Sequence, residues 1–167
     1  MKSGMKVTED NAESVLAALK ELSGMDVLVG IPEGNAPRED GKLNNAEIGY
    51  LQSTGATIQI DGVTVTLPPR PFLDIGIEDT RSRTTAHLKA AAGLVLEGNA
   101  DGARTELERA GIIASDGAKK VISDGDRLQP LSEKTLQARR EQGLPGEKPL
   151  YAHGYLLRSI TYVVRKK

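Results

Sequence analysis

The sequence predicts a single α+β domain, a small and mostly antiparallel sheet packed against a long helical hairpin and several shorter helices. Two observations carry that reading. Strand signals recur near 25–31, 56–60, 63–67 and 159–165, with apolar and polar residues alternating most clearly before and after a turn at 61–62. Helical signals fill 79–98 and 101–123, and in the second of these Ala103, Leu107, Ala110, Ala114, Gly117 and Val121 recur at spacings of four and three. At 167 residues, with one phenylalanine, four tyrosines and no tryptophan, the chain can bury a real core only by building it from Leu, Ile, Val and Ala.

The elements follow in order. Glu9–Leu22 has Val15, Leu19 and Leu22 at helical spacing with Leu16 beside them, and Gly24 stands where a helix commonly ends. Met25–Ile31 puts Val27, Val29 and Ile31 on one strand face and Leu28 on the other, and Gly30 inside it suggests a bulge or a close backbone approach. The polar stretch 32–43 reads as a projecting surface loop. It lacks the lysine and hydroxyl residue that end a phosphate-binding P-loop. Asn44 with Glu47 three residues on reads as a helix start, and that short helix runs through Ile48, Tyr50 and Leu51 to Gly55.

Ile58 and Ile60, then Val63, Val65 and Leu67, alternate around Asp61-Gly62, which supplies the positive-φ turn of a hairpin. Next comes Leu67-Pro68-Pro69-Arg70-Pro71-Phe72-Leu73. Each proline lacks an N–H and pushes its predecessor toward extended geometry, so 67–73 reads as a stiff extended arm. It serves either as a connector between hairpin and helices or as a projection that docks on a neighbouring subunit. In either case Phe72 is expected to anchor the arm in an apolar setting and Arg70 to meet a carboxylate.

On the helix over 79–98, Leu88, Ala91 and Val95 share a face, and Gly98 is its stop. Asp101 is the expected N-cap of the next helix. Four of the six seam residues there are Ala or Gly, which lets helix backbones approach closely, and Ala90–Gly93 offers a similarly small partner across the short turn at 98–100. Asp124-Gly125-Asp126 has a carboxylate spacing met in calcium loops but lacks the later ligands, so it reads as a turn. Ser132 precedes a helix through Arg140, with Leu136 and Ala138 inward and Arg139 and Arg140 outward. Leu156, Leu157 and Ile160 lead into a closing strand and the ending Arg165-Lys166-Lys167.

Composition narrows the function classes. The chain has no cysteine, which excludes disulfides and thiolate metal ligands. No apolar run reaches the length needed to span a bilayer, and no signal-like segment opens the chain, so cytosolic synthesis without a membrane role is expected. The two histidines, His87 and His153, are not at metal-ligand spacing, and Ser159 has no nucleophile-elbow glycines around it. No catalytic, metal or cofactor-binding residues are therefore assigned, and no cofactor is expected. Net charge is −1, yet residues from Glu133 onward carry +5 and the rest −6. That split suits either a nucleic-acid surface or head-to-tail contacts between subunits.

Across residues 67–162 an ordered set of motifs appears: Pro68-Pro69-Arg70-Pro71-Phe72, then Pro130-Leu131-Ser132, Thr135-Leu136 and Arg139. Lys148-Pro149-Leu150, Gly154, Leu156, Ser159-Ile160 and Tyr162 complete it. In order and spacing this set resembles the tail-completion or virion-morphogenesis proteins of long-tailed bacteriophages. One departure is visible: that family usually has Asp-Thr before the glycine, and here Ala152-His153 stands in its place. A helix cap supplied by the Asp-Thr pair is then missing or taken over by His153.

The resemblance implies a non-enzymatic structural protein of the virion neck, made in the host cytoplasm, whose subunits form a ring that completes the tail and joins it to the head. It implies a hexamer first and a dodecamer second. Head-completion, tail-terminator and tail-tube subunits are the neighbours, and genomic DNA in the lumen is a further candidate contact. Pro68, Pro69, Pro71, Pro149, Leu150, Gly154, Leu156, Ser159 and Ile160 are then structural motif residues. Arg70, Phe72, Arg38, Glu39, Arg139, Arg140 and Arg165 are candidates for the subunit interface. The rival readings are a DNA- or RNA-binding module built on the basic C-terminal segment, and a small hydrolase with a convergent polar pocket.

Overall fold

The computed structural model describes residues 10–33, 43–60, 62–144 and 146–166. Most of the projecting loop, with Arg38 and Glu39, lies outside them, as does Asp61. The elements run α1 (Ala12–Ser23), β1 (Met25–Gly30), α2 (Asn45–Thr54), β2 (Ala56–Ile60), β3 (Val63–Leu67), α3 (Phe72–Leu96), α4 (Ala100–Asp124), α5 (Glu133–Glu141), α6 (Tyr155–Ser159) and β4 (Thr161–Lys166). This is the expected α+β arrangement. Its strands form two antiparallel ribbons, β1 with β4 and β2 with β3, rather than one sheet.

The hairpin of α3 and α4 is the frame. Its turn has the form the sequence suggested: Gly98 sits at φ 77°, its N–H donates to Val95 O, and the N–H of Asn99 donates to Leu94 O, which closes α3 in a Schellman arrangement. The N-cap of α4 is Asn99, whose side chain accepts from the Gly102 N–H, and Asp101 falls inside the helix. All six seam residues of α4 point inward, Ala103, Leu107, Ala110, Ala114 and Val121 buried and Gly117 half-buried. The tightest approach lies at the far end from the expected Ala90–Gly93 stretch. A Cβ on Gly76 would stand 2.3 Å from the Ala118 N, and one on Gly117 would stand 2.6 Å from the Gly76 O. Gly93 has open space around it.

On α3 the inward row is Phe72, Gly76, Thr80, then Ala91 and Val95, with half-buried Thr84 and His87 between them. Leu88 therefore falls outside the seam and is 43% exposed, against expectation, because His87 takes the seam position. There its Nδ1 meets Glu106 Oε2 on α4 at 2.5 Å, while Arg109 pairs with the other carboxylate oxygen. The hydrogen bond from His87, then Arg109, outweighs the opposing effect of burial and holds the Glu106 carboxyl below its ordinary 4.5. A depressed folded-state pKa adds stability above the unfolded value, and that contribution is lost as pH falls through the folded one. Glu106→Gln should thus lower stability at neutral pH. Urea unfolding at a series of pH values should show the variant and the parent converging below the ordinary carboxylate range.

Two hydrophobic clusters flank this frame. Near the hairpin turn, Ala91, Val95, Ala103 and Leu107 pack with Ala18, Leu22, Met25, Val27 and Val164 of α1 and the β1–β4 ribbon. Only Ala18 and Leu22 turn α1 inward; Val15, Leu16 and Leu19, expected on the core face, are exposed, Leu16 at 67%. In the ribbon, Gly30 pairs directly with Thr161 and has nothing near its Cβ position, so it marks neither a bulge nor a close approach. Instead the close approach is at Gly111 of α4, on which the Tyr162 ring lies.

At the open end of the hairpin Phe72, Ala118, Val121, Ile122, Leu128, Leu156 and Ile160 form the second cluster, with Ile31, Ile48, Leu150 and Leu157 around it. Here α2 starts as expected. Asn44 Oδ1 accepts from the Glu47 N–H while the Glu47 carboxylate accepts from the Asn44 N–H, a complete capping box. The β2–β3 hairpin pairs Ile60 with Val63 around a turn in which Gly62 has φ 77°.

Candidate functional site

The motif residues scattered over 67–162 come together at this open end. The arm is shorter than the sequence suggested. Helix α3 begins at Phe72, with Pro71 as its N-cap at φ −77° and the Phe72 N–H donating to Arg70 O, so the chain already turns at Pro71, the arm is only Pro68–Arg70, and Leu73 is helical. A proline just ahead of the first turn costs the helix nothing, since the missing N–H has no helical partner there. Pro69 is exposed, and Pro68 and Pro71 are half-buried.

Arg70 and Phe72, expected on a subunit interface, lie inside the chain. Phe72 is 0% exposed within the second cluster. Arg70 is 5% exposed and meets no carboxylate among the described residues. Its Nε donates to Gln129 O at 2.7 Å, its Nη2 to Pro130 O at 3.0 Å and its Nη1 to Gln52 Oε1 at 3.0 Å. The Arg70 N–H also donates to Gln52 O at 2.7 Å. One side chain thus staples the arm to α2 and to the segment at Gln129 and Pro130 ahead of α5. Burial first, and the nearby Arg139 guanidinium second, press the Arg70 pKa below its ordinary value.

Arg139 was expected to point outward. It is half-buried, and its Nη1 faces the carbonyls of Gly146, Lys148 and Tyr151 at 3.3, 3.1 and 3.3 Å. The segment that wraps it holds Leu150 at φ 62°, the left-handed region that a branched side chain rarely adopts. Pro149 beside it is buried, and Gly125, at φ 73°, packs on Lys148 and Pro149. Arg140 does point outward, toward Glu133 on its own helix. Ala138, expected inward, is exposed. Helix α5 is only nine residues long and presents Leu136 and Arg139 as its inward edge.

The ending of the motif set is structural. Gly154 is buried at φ 73° and stands at the N-cap of α6, so no side chain caps that helix and His153 does not take over the role. His153 instead lies 5.3 Å from the Tyr155 ring, and its carbonyl accepts from Arg158 Nη2. Leu156 and Ile160 are buried, and Ser159 Oγ donates to Leu156 O at 2.7 Å. In the β1–β4 ribbon Arg165 lies 4.0 Å from Asp26, and Lys166 lies 3.6 Å from Glu21 on α1. The basic end of the chain is thereby partly neutralised by the acidic first half.

Between α2, the end of β3, the 129–132 segment, α5 and residues 150–156 lies a cleft of about 530 Å³, with Arg70 in one wall and Arg139 in another. No group of three or more metal-ligating side chains occurs among the described residues. No described helix is long and apolar enough to cross a membrane. Sequence reasoning found the motif residues but missed Gln52, Gln129 and the carbonyl clamp on Arg139, because backbone acceptors leave no side-chain signature and the Gln52 amide meets Arg70 only through the tertiary fold. No family model, no curated protein and no solved structure matches this chain.

Proposed function

We propose that this chain is a structural subunit of the neck of a long-tailed bacteriophage, one that forms a ring, completes the tail and joins it to the head. The observation that carries this reading is the ordered motif set and its convergence. The proline arm, the Pro130–Ser132 segment, Arg139, Lys148–Leu150 and Gly154–Ile160 are far apart in sequence, yet they assemble around Phe72 and Arg70. Motifs that meet in one substructure behave as a unit, which is what a shared fold requires.

The motif residues hold the subunit together, so ring contacts fall to other surfaces. Exposed apolar side chains are available on α1 at Val15, Leu16 and Leu19, and on α2 at Tyr50. The split of charge between the acidic first part and the basic last part favours head-to-tail contacts, and a ring built from one such repeated contact must close. Six subunits are the first expectation and twelve the second. Electron microscopy of particles from a phage lacking the gene tests the assignment. Headless tails together with filled, tailless capsids are the expected result, and normal virions would overturn it.

A further inference from the structure

Arg70 and Arg139 bring two guanidinium groups to the cleft at the open end. Among the described residues that line it none is Asp or Glu; His153 also lines it, and Ile48, Leu67, Leu131 and Leu150 supply apolar wall. Arg70 is spent on three acceptors and is fixed. Arg139 is held by one end only. Its Nη1 takes the three carbonyls, while its Nε and Nη2 have no hydrogen-bond acceptor among the described residues. Those two atoms carry the parallel pair of N–H bonds that matches the two oxygens of a carboxylate. Nη1 is anchored through Lys148 and Tyr151, on either side of a residue in the left-handed region, so the fork is held by its surroundings rather than free to swing.

We infer that this cleft binds an acidic peptide segment of a protein partner, with a glutamate or aspartate carboxylate seated on the open Nε–Nη2 edge of Arg139. The charge of the lining favours such a guest. Two cations repel across a partly desolvated cleft, and the repulsion registers as the effect of Arg139 on Arg70. An entering carboxylate relieves it. The apolar walls favour a peptide over a bare inorganic anion, because they give flanking side chains surface to cover. This inference rests on the cleft alone and not on the neck assignment.

The test is calorimetric titration of the full chain with three probes: a blocked pentapeptide of alternating valine and glutamate, its valine–glutamine counterpart, and inorganic phosphate. The glutamate peptide should bind at least about tenfold more tightly than the glutamine one, with affinity falling as salt rises. Arg139→Gln should remove that preference. Since this change also loosens the 146–151 segment, a second variant keeps the test sound. Ala152 is exposed and lines the cleft, so Ala152→Asp supplies a resident carboxylate while leaving every existing contact of Arg139 in place. It should weaken the glutamate peptide by about tenfold or more. Equal binding of both peptides, no binding of the glutamate peptide, or undiminished binding by the Ala152→Asp variant would overturn the inference. Binding of phosphate without the peptide would overturn the choice of guest.

Discussion

Phe72→Ala should destabilise the protein by about 3–5 kcal/mol, the usual cost of truncating a fully buried phenylalanine. The ring is the only phenylalanine in the chain and is 0% exposed. It shares one buried cluster with several parts of the molecule. Ala118, Val121 and Ile122 come from α4, Leu156 and Ile160 from the closing motif, Ile31 from just after β1 and Ile48 from α2. With only one large aromatic in the core, no neighbour can swing in to refill the space, so the cavity term stays near its upper range. Pro69→Ala, on the exposed part of the same arm, should cost only about 0.4–1 kcal/mol, through the freer unfolded chain. Urea unfolding of the two variants decides the matter. A folded Phe72→Ala protein of near-parental stability would mean that the ring is used between subunits instead.

The same residue marks where the sequence was hard to read. Local signals were legible: the Asn44–Glu47 box, the turn before Val63 and the helix start after Ser132 are each written within a few residues. The small-residue seam of α4 was legible too, because a period sustained over Ala103–Val121 survives any single exception. The start of α3 was not. Three prolines announce extended chain so strongly that Phe72 and Leu73 read as its continuation, although a helix tolerates a proline at its threshold. Arg70 and Arg139 were misjudged for a related reason. An arginine in a charged sequence suggests a carboxylate, and here both guanidinium groups are held by carbonyls and an amide that only the tertiary fold brings near. Leu88 was misplaced because a polar pair, His87 with Glu106, occupies the seam position that hydrophobicity alone would give to leucine.

The second large effect comes from a place where a side chain is absent. Gly76→Ala should cost about 3 kcal/mol, although alanine is by about 1 kcal/mol the better helix former. The added Cβ would stand 2.3 Å from the Ala118 N, 2.4 Å from its Cα and 2.6 Å from the Gly117 C. All three are backbone atoms of α4, so no rotamer change relieves the overlap and the two helices must part. Parting them disturbs the layer that holds Thr80, whose hydroxyl donates to Gly76 O, and opens the packing of Ala118 against Phe72. The same substitution further along the same helix should have the opposite sign. Gly93 is exposed with nothing within 4 Å of a Cβ, so Gly93→Ala should gain about 0.5–1 kcal/mol through the unfolded chain. Thermal or urea unfolding of the pair therefore separates close approach from helix propensity. Two variants that both gain stability would show that α3 and α4 can yield at Gly76, and that the open end of the hairpin is not the rigid frame on which the cleft depends.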